Sequence, residues 1–411
     1  MRRGPSLLRF PDGPVPERAG APYVMRGIEL ATSLVIGTDR TRAPLQRRPV
    51  TTAELPGVLE QVLVPALQRA PCVVAFSGGR DSAGLLAAAT RAARRHGLPP
   101  PVPATYRFDG IEDADESAWQ DSVVRHLGLE DWVRVEVTDE LDLVGPVAAP
   151  VLRRFGPLWP PNSYFAGLLA PHARGGTLVT GVGGDELLEP GRHRVARLLG
   201  GQSRPARGDL RALIAPLAPA AFRVRRGRRR IAALPWLAPD AAAAYAQALA
   251  RELLEPLWWG RGVTDGWWRS RQRLAMTASI AAACGDDVTV EHPFTAPLFL
   301  SAAAGALWRL GFPSRAGAMD LLFGEVLPRA VRHRSDKAAF FAPFVNRHTR
   351  AFIDSWDGTG VDPTLVDAEA LGVCWSKDRV DARSYALLQS VWLNADDGGQ
   401  AGSGVGADVP V

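Results

Sequence analysis

The fold is decided by the stretch Pro71-Cys-Val-Val-Ala-Phe-Ser-Gly-Gly-Arg-Asp-Ser-Ala-Gly-Leu-Leu86. Its apolar run, residues 73–76, predicts a buried strand because it is short, partly β-branched and bounded by Pro71 and Gly78. A turn and an alanine-rich helical stretch follow. Two glycines between a strand and a helix let backbone N–H groups converge on one point, where the helix N-terminus adds a partial positive charge. The stretch therefore predicts a phosphate-binding turn, although it lacks the Gly-Lys-Ser/Thr ending of a Walker loop.

Strands and helices alternate along the chain beyond this turn. Strands of this length alternating with helices imply right-handed βαβ crossovers and a parallel sheet, so the predicted fold class is α/β. Ligands of such sheets bind at the carboxyl ends of the strands, where the Ser77 turn lies. The predicted strands are Cys72–Phe76, Val102–Phe108, Trp132–Val137 and Thr177–Thr180, and the predicted helices are Asp81–His96, Glu116–Leu127 and Asn162–Ala173.

The pattern divides the 411 residues into four predicted regions. Residues 1–55 are rich in Pro, Arg and Gly, and we expect an N-terminal arm with one strand near residues 31–37. Residues 56–200 carry the alternating pattern and are predicted to form the α/β core. Residues 201–393 are predicted to be mostly helical, and the glycine-rich residues 394–411 are expected to form a flexible tail.

The composition predicts a cytoplasmic protein with no membrane partner. No apolar run reaches the roughly 18 residues needed to cross a bilayer, and the first ten residues lack a secretory signal. The three cysteines, Cys72, Cys284 and Cys374, have no paired spacing, which argues against a zinc site and against a disulfide framework.

The net charge of +5 comes almost entirely from arginine. Because arginine use is high throughout the chain, the arginine cluster at residues 223–230 is interpreted as a solvated helix face or linker, which disfavours a nucleic-acid partner. An anionic peptide or nucleotide is the alternative partner of this cluster. The only lysines are Lys337 and Lys377, so a lysine in this chain is informative.

A second glycine-rich turn carries acidic residues. The segment Leu178-Val-Thr-Gly-Val-Gly-Gly-Asp-Glu-Leu-Leu188 predicts a strand that ends in a turn with Asp185 and Glu186. Mg²⁺ in nucleotide sites is commonly held by one or two carboxylates together with the phosphates. Asp81 and Asp185 each follow a glycine turn at the carboxyl end of a strand, so both are predicted to face one nucleoside triphosphate.

The order and spacing of the two turns resemble a known family. The spelling Ser-Gly-Gly-x-Asp-Ser resembles the pyrophosphate loop of the ATP pyrophosphatase superfamily. Together with Thr-Gly-Val-Gly-Gly-Asp-Glu it resembles the synthetase domain of asparagine synthetases, β-lactam synthetases and lasso-peptide macrolactam synthetases. The resemblance covers roughly residues 60–390 and includes weaker echoes at Asp115-Glu116, Glu291-His-Pro-Phe294 and residues 327–340.

The resemblance implies a parallel-sheet ATP pyrophosphatase domain followed by a mostly helical C-terminal part, with ATP and Mg²⁺ as cofactors. Lys337 would be the catalytic lysine, and its presence in an arginine-dominated chain supports a requirement for a compact ammonium group. The remaining implied site residues are Ser77, Gly78, Gly79 and Ser82 for pyrophosphate, Asp81 and Asp185 for Mg²⁺, and Phe76, Phe108, Thr180 and Gly181 for adenosine.

The implied enzyme is an ATP-dependent carbon–nitrogen ligase that releases AMP and pyrophosphate. A carboxylate attacks the α-phosphate to give an acyl-adenylate, and an amine then displaces AMP to leave an amide. Mg²⁺ and the glycine turns would stabilise the departing pyrophosphate, and Lys337 would stabilise charge in both steps.

Two departures from the family narrow the expected substrates. Position 2, where a glutaminase domain has its nucleophilic cysteine, is Arg2, and only about 55 residues precede the synthetase region. We therefore expect no glutaminase domain. Val182 replaces a position that is acidic in asparagine synthetases, and valine can neither take a proton nor bind an ammonium group. We expect a small-molecule or peptide carboxylate and amine, in peptide or natural-product biosynthesis of the lasso macrolactam type, with a precursor peptide or biosynthetic protein as partner.

Three alternatives stay open at this point. The first is asparagine synthetase-like amidation with external ammonia. The second is a tRNA-modifying ATP pyrophosphatase, suggested by the shared loop and the arginine cluster. The third is an inactive scaffold or partner subunit, suggested by the absent glutaminase domain and by Val182.

Overall fold

The computed structural model describes residues 7–11, 15, 22–108, 116–188, 198, 204, 218–254, 256, 258–334 and 344–402. Within these residues one parallel sheet has the strand order β3-β2-β1-β4-β5. The α/β class predicted from the sequence is therefore confirmed. The strands are β1 (Cys72–Ala75), β2 (Val102–Phe108), β3 (Val133–Val137), β4 (Thr177–Val179) and β5 (Thr289–Glu291).

The strand order reverses at β1, which lies in the middle of the sheet. Val73 pairs with Val102 of β2 on one side and with Leu178 of β4 on the other. β5 extends the sheet beyond β4, with Glu291 opposite Val179. In an open parallel sheet this reversal creates a crevice at the carboxyl ends of the two strands that flank it, here β1 and β4.

The central strands β1 and β4 are buried on both faces, which explains why they are almost continuously apolar. Successive side chains of a strand point to opposite faces. Val74 and Val179 accordingly pack into a large core with the helices that follow β1 and β2. Val73 and Leu178 pack into a second cluster on the other face, against Ile280 and neighbouring residues.

The first half of the chain supplies six helices within the described residues. The longest, α3, begins directly after the first glycine turn and ends at Gly97, whose φ of +61° gives the left-handed cap that commonly terminates a helix. The helices are α1 (Ile28–Thr32), α2 (Leu55–Gln68), α3 (Arg80–His96), α4 (Ser117–Leu127), α5 (Ala148–Phe155) and α6 (Gly184–Leu188).

The second half is mostly helical, as the sequence predicted. Some of its helices pack with α1 and α5 in a cluster around the buried Trp236 and Trp375, whereas Pro297–Ala306 and Arg315–Phe323 pack into the large core beside the sheet. The helices of this half are Ala220–Arg228, Pro239–Glu252, Trp259–Arg261, Arg271–Cys284, Pro297–Ala306, Arg315–Phe323, Arg329–Arg332, Arg347–Ser355, Ala368–Trp375 and Tyr385–Gly402.

Two local predictions were wrong. The strand expected near residues 31–37 is replaced by α1, and Thr38 makes only an isolated bridge to Ser270. The helix expected over Asn162–Ala173 is two short 3-10 segments, Ser163–Leu168 and Ala170–Ala173. Pro171 explains the second difference, because it lacks an N–H group and disfavours the α conformation in the residue before it.

The observed elements also cross the predicted region boundaries. Strand β5 was not predicted, and it joins the sheet from within the region 201–393. Residues of the predicted N-terminal arm are buried, among them Met25, Ile28 and Val35. The last helix continues to Gly402, beyond the point at which a flexible tail was expected. None of the helices in the described ranges is long and apolar enough to span a membrane.

Candidate active site

The turn after β1 is closed by its own two serines. The Ser77 N–H donates to Ser82 Oγ at 3.2 Å, the two hydroxyls lie 3.1 Å apart, and the Gly79 N–H donates to Ser77 Oγ at 3.3 Å. Gly78 has a φ of +92°, which glycine adopts at no steric cost. The predicted pyrophosphate-binding residues thus form one preformed turn at the N-terminus of α3.

Helix α4 and Arg334 fix this turn by hydrogen bonds to its backbone carbonyl groups. Gln120 Nε2 donates to the Ser77 carbonyl at 3.1 Å, and Arg334 Nη1 donates to the Gly78 carbonyl at 3.1 Å. Arg334 also forms a two-pronged ion pair with Glu116, in which Nη2 lies 3.0 Å from Oε1. Both members of the pair are buried, so the turn is fixed by a charge pair shielded from water.

The turn after β4 meets the first turn through a glycine. A Cβ added at Gly184 would lie only 2.6 Å from Asp81 Oδ2, so a side chain at position 184 would displace the Asp81 carboxylate. The start of this second turn is tied to β5, because the Thr180 N–H donates to the Glu291 carbonyl at 3.0 Å. The two glycine turns therefore share one surface at the crevice between β1 and β4.

Arg315 joins the two predicted metal ligands. Its Nη2 contacts Asp81 Oδ2 and lies 3.1 Å from Asp185 Oδ1, while its Nη1 donates to the Gly184 carbonyl at 2.8 Å. The Asp81 side chain is 18% exposed and that of Asp185 is 66% exposed. Burial raises the pKa of Asp81 above its ordinary value; the Arg315 guanidinium opposes this rise, and the neighbouring Asp185 adds to it.

The Asp81 and Asp185 carboxylates suit a metal cation whose remaining ligands are phosphate oxygens. Asp81 Oδ1 is buried and has no hydrogen-bond partner among the described residues, which leaves one hard oxygen ligand available. In the described part of the chain, no group of three or more His, Cys, Asp and Glu side chains is arranged to hold a metal ion. Mg²⁺ at nucleotide sites is usually bound by one or two carboxylates plus substrate phosphates, so this donor set matches it.

Comparison with known families decides the wider assignment. The family model for asparagine synthase matches residues 59–292, which include both glycine turns and the end of β5. The chain belongs to the asparagine synthase family. A search of curated protein sequences found no match to the chain.

Membership of the asparagine synthase family gives the site a reaction class. The family consists of ATP-dependent ligases, which supports an enzyme of the ligase type. The resemblance drawn from the two glycine turns is confirmed by this match, and it covers the synthetase region alone.

The four residues predicted to bind adenosine differ in how accessible their side chains are. Phe108 is half-buried at the carboxyl end of β2, and a Cβ added at Gly181 would meet no described atom within 4 Å. The side chain of Phe76, by contrast, is only 1% exposed and belongs to the large core. Any contact of Phe76 with adenosine would therefore come from its backbone, and Thr180 lies beside Gly181 at the end of β4.

Lys337 and Asp115 lie outside the described residues, so the catalytic assignment of the lysine stays a prediction. The described residue closest to Lys337 on its N-terminal side is Arg334, three positions earlier. Arg334 contacts both the first glycine turn and Glu116. Arg334, three positions before Lys337, is therefore anchored at the first glycine turn.

Sequence reasoning missed three residues at this site: Arg315, Arg334 and His292. The two arginines are not distinguishable by type in a chain that uses arginine almost everywhere. The signal available for Arg334 was its place in the stretch that resembles the family's lysine segment. His292 was quoted within Glu291-His-Pro-Phe294, but its hydrogen bond to Thr180 depends on the pairing of β5 with β4.

Proposed function

We propose that this protein is an AMP-forming amide-bond synthetase that adenylates a carboxylate and transfers the acyl group to an amine. The observation that carries the proposal is the convergence of Asp81 and Asp185, from two different strand-end turns, on Arg315. An acidic pair and a guanidinium at the switch point of a parallel sheet suit a triphosphate and its counter-ion. Family membership supplies the ATP-dependent ligase class.

In this proposal the first turn binds the two phosphates that leave. The backbone N–H groups at the start of α3 and the hydroxyls of Ser77 and Ser82 face anionic oxygen. Asp81 and Asp185 would hold Mg²⁺, which, when bound, offsets the negative charge of the triphosphate and favours loss of pyrophosphate. Arg315 pairs with both carboxylates, and on nucleotide binding it would turn its donors toward the pyrophosphate oxygens.

Lys337 is the proposed catalytic cation in both steps. Its ammonium group would stabilise the charge that develops at the α-phosphate during adenylation and at the acyl oxygen during amide formation. The support for this role is its place in the family-like stretch 327–340, together with the contacts of Arg334 at the first turn.

The proposed acid and amine belong to a peptide or natural-product intermediate, and an intramolecular macrolactam closure is the favoured form. Val182 supports this choice: it is a half-buried apolar residue that packs against the hydrophobic cluster of Leu178 and Ile280. An apolar wall at this position neither binds an ammonium ion nor deprotonates ammonia. Asparagine synthetase-like amidation with external ammonia is the second candidate, and a precursor peptide or biosynthetic protein is the proposed partner.

Product analysis tests the proposal. The protein is incubated with Mg²⁺, ATP labelled in the α-phosphate, a pool of carboxylic acids that includes short peptides, and hydroxylamine as a general amine. We expect labelled AMP, pyrophosphate and a hydroxamate, all dependent on the acid. Formation of ADP and phosphate as the sole products would contradict the proposal.

A further inference from the structure

A histidine that follows β5 is hydrogen-bonded to the residue that follows β4. His292 Nδ1 lies 2.6 Å from Thr180 Oγ1, and the Val182 N–H donates to the same Oγ1 at 3.4 Å. The backbone of this pair is fixed by the hydrogen bond from Thr180 N–H to the Glu291 carbonyl. The imidazole is thus held in place by the strand pairing as well as by its own contact.

The contacts of Thr180 determine where the imidazole carries its proton. The Thr180 hydroxyl can accept from the Val182 N–H and still donate its own proton, and His292 Nδ1 is the acceptor within reach of that proton in the described part of the chain. We therefore assign Thr180 as the donor and Nδ1 as the acceptor. In a neutral imidazole the other nitrogen, Nε2, then carries the N–H.

His292 stays neutral at physiological pH. Burial and the nearby positive charge of Arg273 lower the pKa of His292 to about 4. Arg273 is itself fixed, since its Nε and Nη2 both donate to the Trp268 carbonyl. His292 is half-buried, and its Nε2 has no partner among the described residues, so one N–H donor is available to a ligand.

The position of this donor follows from the strand order. ATP bound between β1 and β4 would place its phosphates over Asp81 and Asp185 and its adenosine toward Phe108 of β2. His292 lies at the end of β5, on the side of β4 away from β1. With ATP placed as in the proposed function, that side would remain for the carboxylate that attacks the α-phosphate and for the amine that follows it.

We propose that the Nε2–H of His292 donates a hydrogen bond to the acyl oxygen of the adenylate, an inference that rests on the proposed function. When the amine attacks, a C–N bond forms and the carbonyl π pair moves onto that oxygen. The C–O bond to phosphate then breaks, AMP leaves with the electron pair, and the amine proton is released to solvent. His292 keeps its own proton throughout and acts as a neutral oxyanion donor.

The test uses two nucleotides that differ in the acyl group. The probe 5′-O-(N-acetylsulfamoyl)adenosine carries an acyl oxygen without any substrate side chain, whereas AMP carries none. Binding of both to the full-length protein is measured by calorimetry for the wild type, His292→Phe and His292→Gln. We expect His292→Phe to weaken binding of the acyl probe about tenfold, and that of AMP less than about twofold. His292→Gln, whose amide N–H can replace Nε2–H, should restore most of the difference.

The outcomes separate this inference from the proposed function. An unchanged ratio of the two affinities in His292→Phe would overturn the role of His292 while leaving the adenylate site intact. Failure of the wild type to bind either nucleotide would overturn both. Long-range ¹H–¹⁵N spectra of histidine-labelled protein provide the independent readout: the Nε2–H tautomer is expected from pH 5.5 to 8, and the Nδ1–H tautomer would overturn the assignment.

Discussion

The two sides of β4 carry different kinds of chemistry. On the β1 side there is a charged cluster, in which the Arg315 guanidinium pairs with the carboxylates of both Asp81 and Asp185. On the β5 side, Thr180 and His292 form a neutral hydrogen-bonded pair. Charged groups suit the triphosphate and its metal, whereas a neutral donor suits an acyl carbonyl that becomes charged only in the transition state. The difference agrees with the proposal that ATP and the acyl group bind on separate sides of one strand.

Removing a charge on the β1 side should have the largest effect. Asp81→Asn keeps the size of the side chain but removes the anionic ligand, so we expect AMP formation to fall about 10³-fold. The rate of labelled AMP release in the hydroxylamine assay measures the change. Asp357→Asn is the matched control, since Asp357 is an exposed turn residue whose oxygen binds Thr359. Equal loss in both variants would contradict the assignment of Asp81.

Removing Arg334, which contacts the first glycine turn, should lower the stability of the protein. Arg334→Met would leave Glu116 buried without its counter-charge, which typically costs about 3–5 kcal/mol in the free energy of unfolding. Urea unfolding measures this difference. In the control Arg383→Met, a partly exposed ion pair with Asp381 is lost, and the expected cost is below about 1 kcal/mol. Similar costs in the two variants would show that the Glu116–Arg334 pair is not shielded from water.

The neutral state of His292 on the β5 side should make the free energy of unfolding depend on pH in the acid range. The pKa of His292 is lowered to about 4 in the folded protein, so between that value and its ordinary pKa near 6.5 the unfolded chain binds the additional proton. Stability is therefore fully present above about pH 6.5 and is lost as pH falls toward 4. From pH 7 to pH 5 the wild type should lose about 2 kcal/mol more than His292→Phe. Parallel pH dependences of the two unfolding free energies would show that His292 titrates normally.

The smallest effect is expected from closing the gap between the two turns. In Gly184→Ala the new Cβ would meet the Asp81 carboxylate, so we expect about a tenfold drop in AMP formation through displacement of a metal ligand. The drop should appear without a large change in unfolding free energy. Gly57→Ala in α2, where the added Cβ meets no described atom within 4 Å, is the control and should keep wild-type activity.

The β1 side was largely predictable from the sequence, for a physical reason. A phosphate-binding turn uses consecutive backbone N–H groups, so its residues are contiguous in the sequence. They are therefore recognisable as short sequence motifs, here Ser77–Ser82 and Thr180–Glu186. The strands β1 to β4 were predicted within one residue at each end, because each is a short segment rich in apolar or β-branched residues between turns.

The β5 side was not predictable, because its parts are brought together by tertiary structure. β5 has only three residues, too few for a periodic signal, and it pairs with a strand more than a hundred positions earlier. Thr180 was predicted from its motif, but its partner His292 is an ordinary residue in isolation, and Arg315 is one arginine among many. Their roles appear only when the register of β4 and β5 and the approach of the helix Arg315–Phe323 are known.

Binding of a non-cleavable ATP tests most directly whether the two glycine turns hold one metal–nucleotide complex. Calorimetry with α,β-methylene-ATP requires neither the acid nor the amine, and it compares the wild type with Asp81→Asn, Asp185→Asn and Asp357→Asn, with and without Mg²⁺. The account predicts that binding is at least about tenfold weaker without Mg²⁺ or in either of the first two variants, and unchanged in Asp357→Asn. Equal affinity under all of these conditions would contradict it.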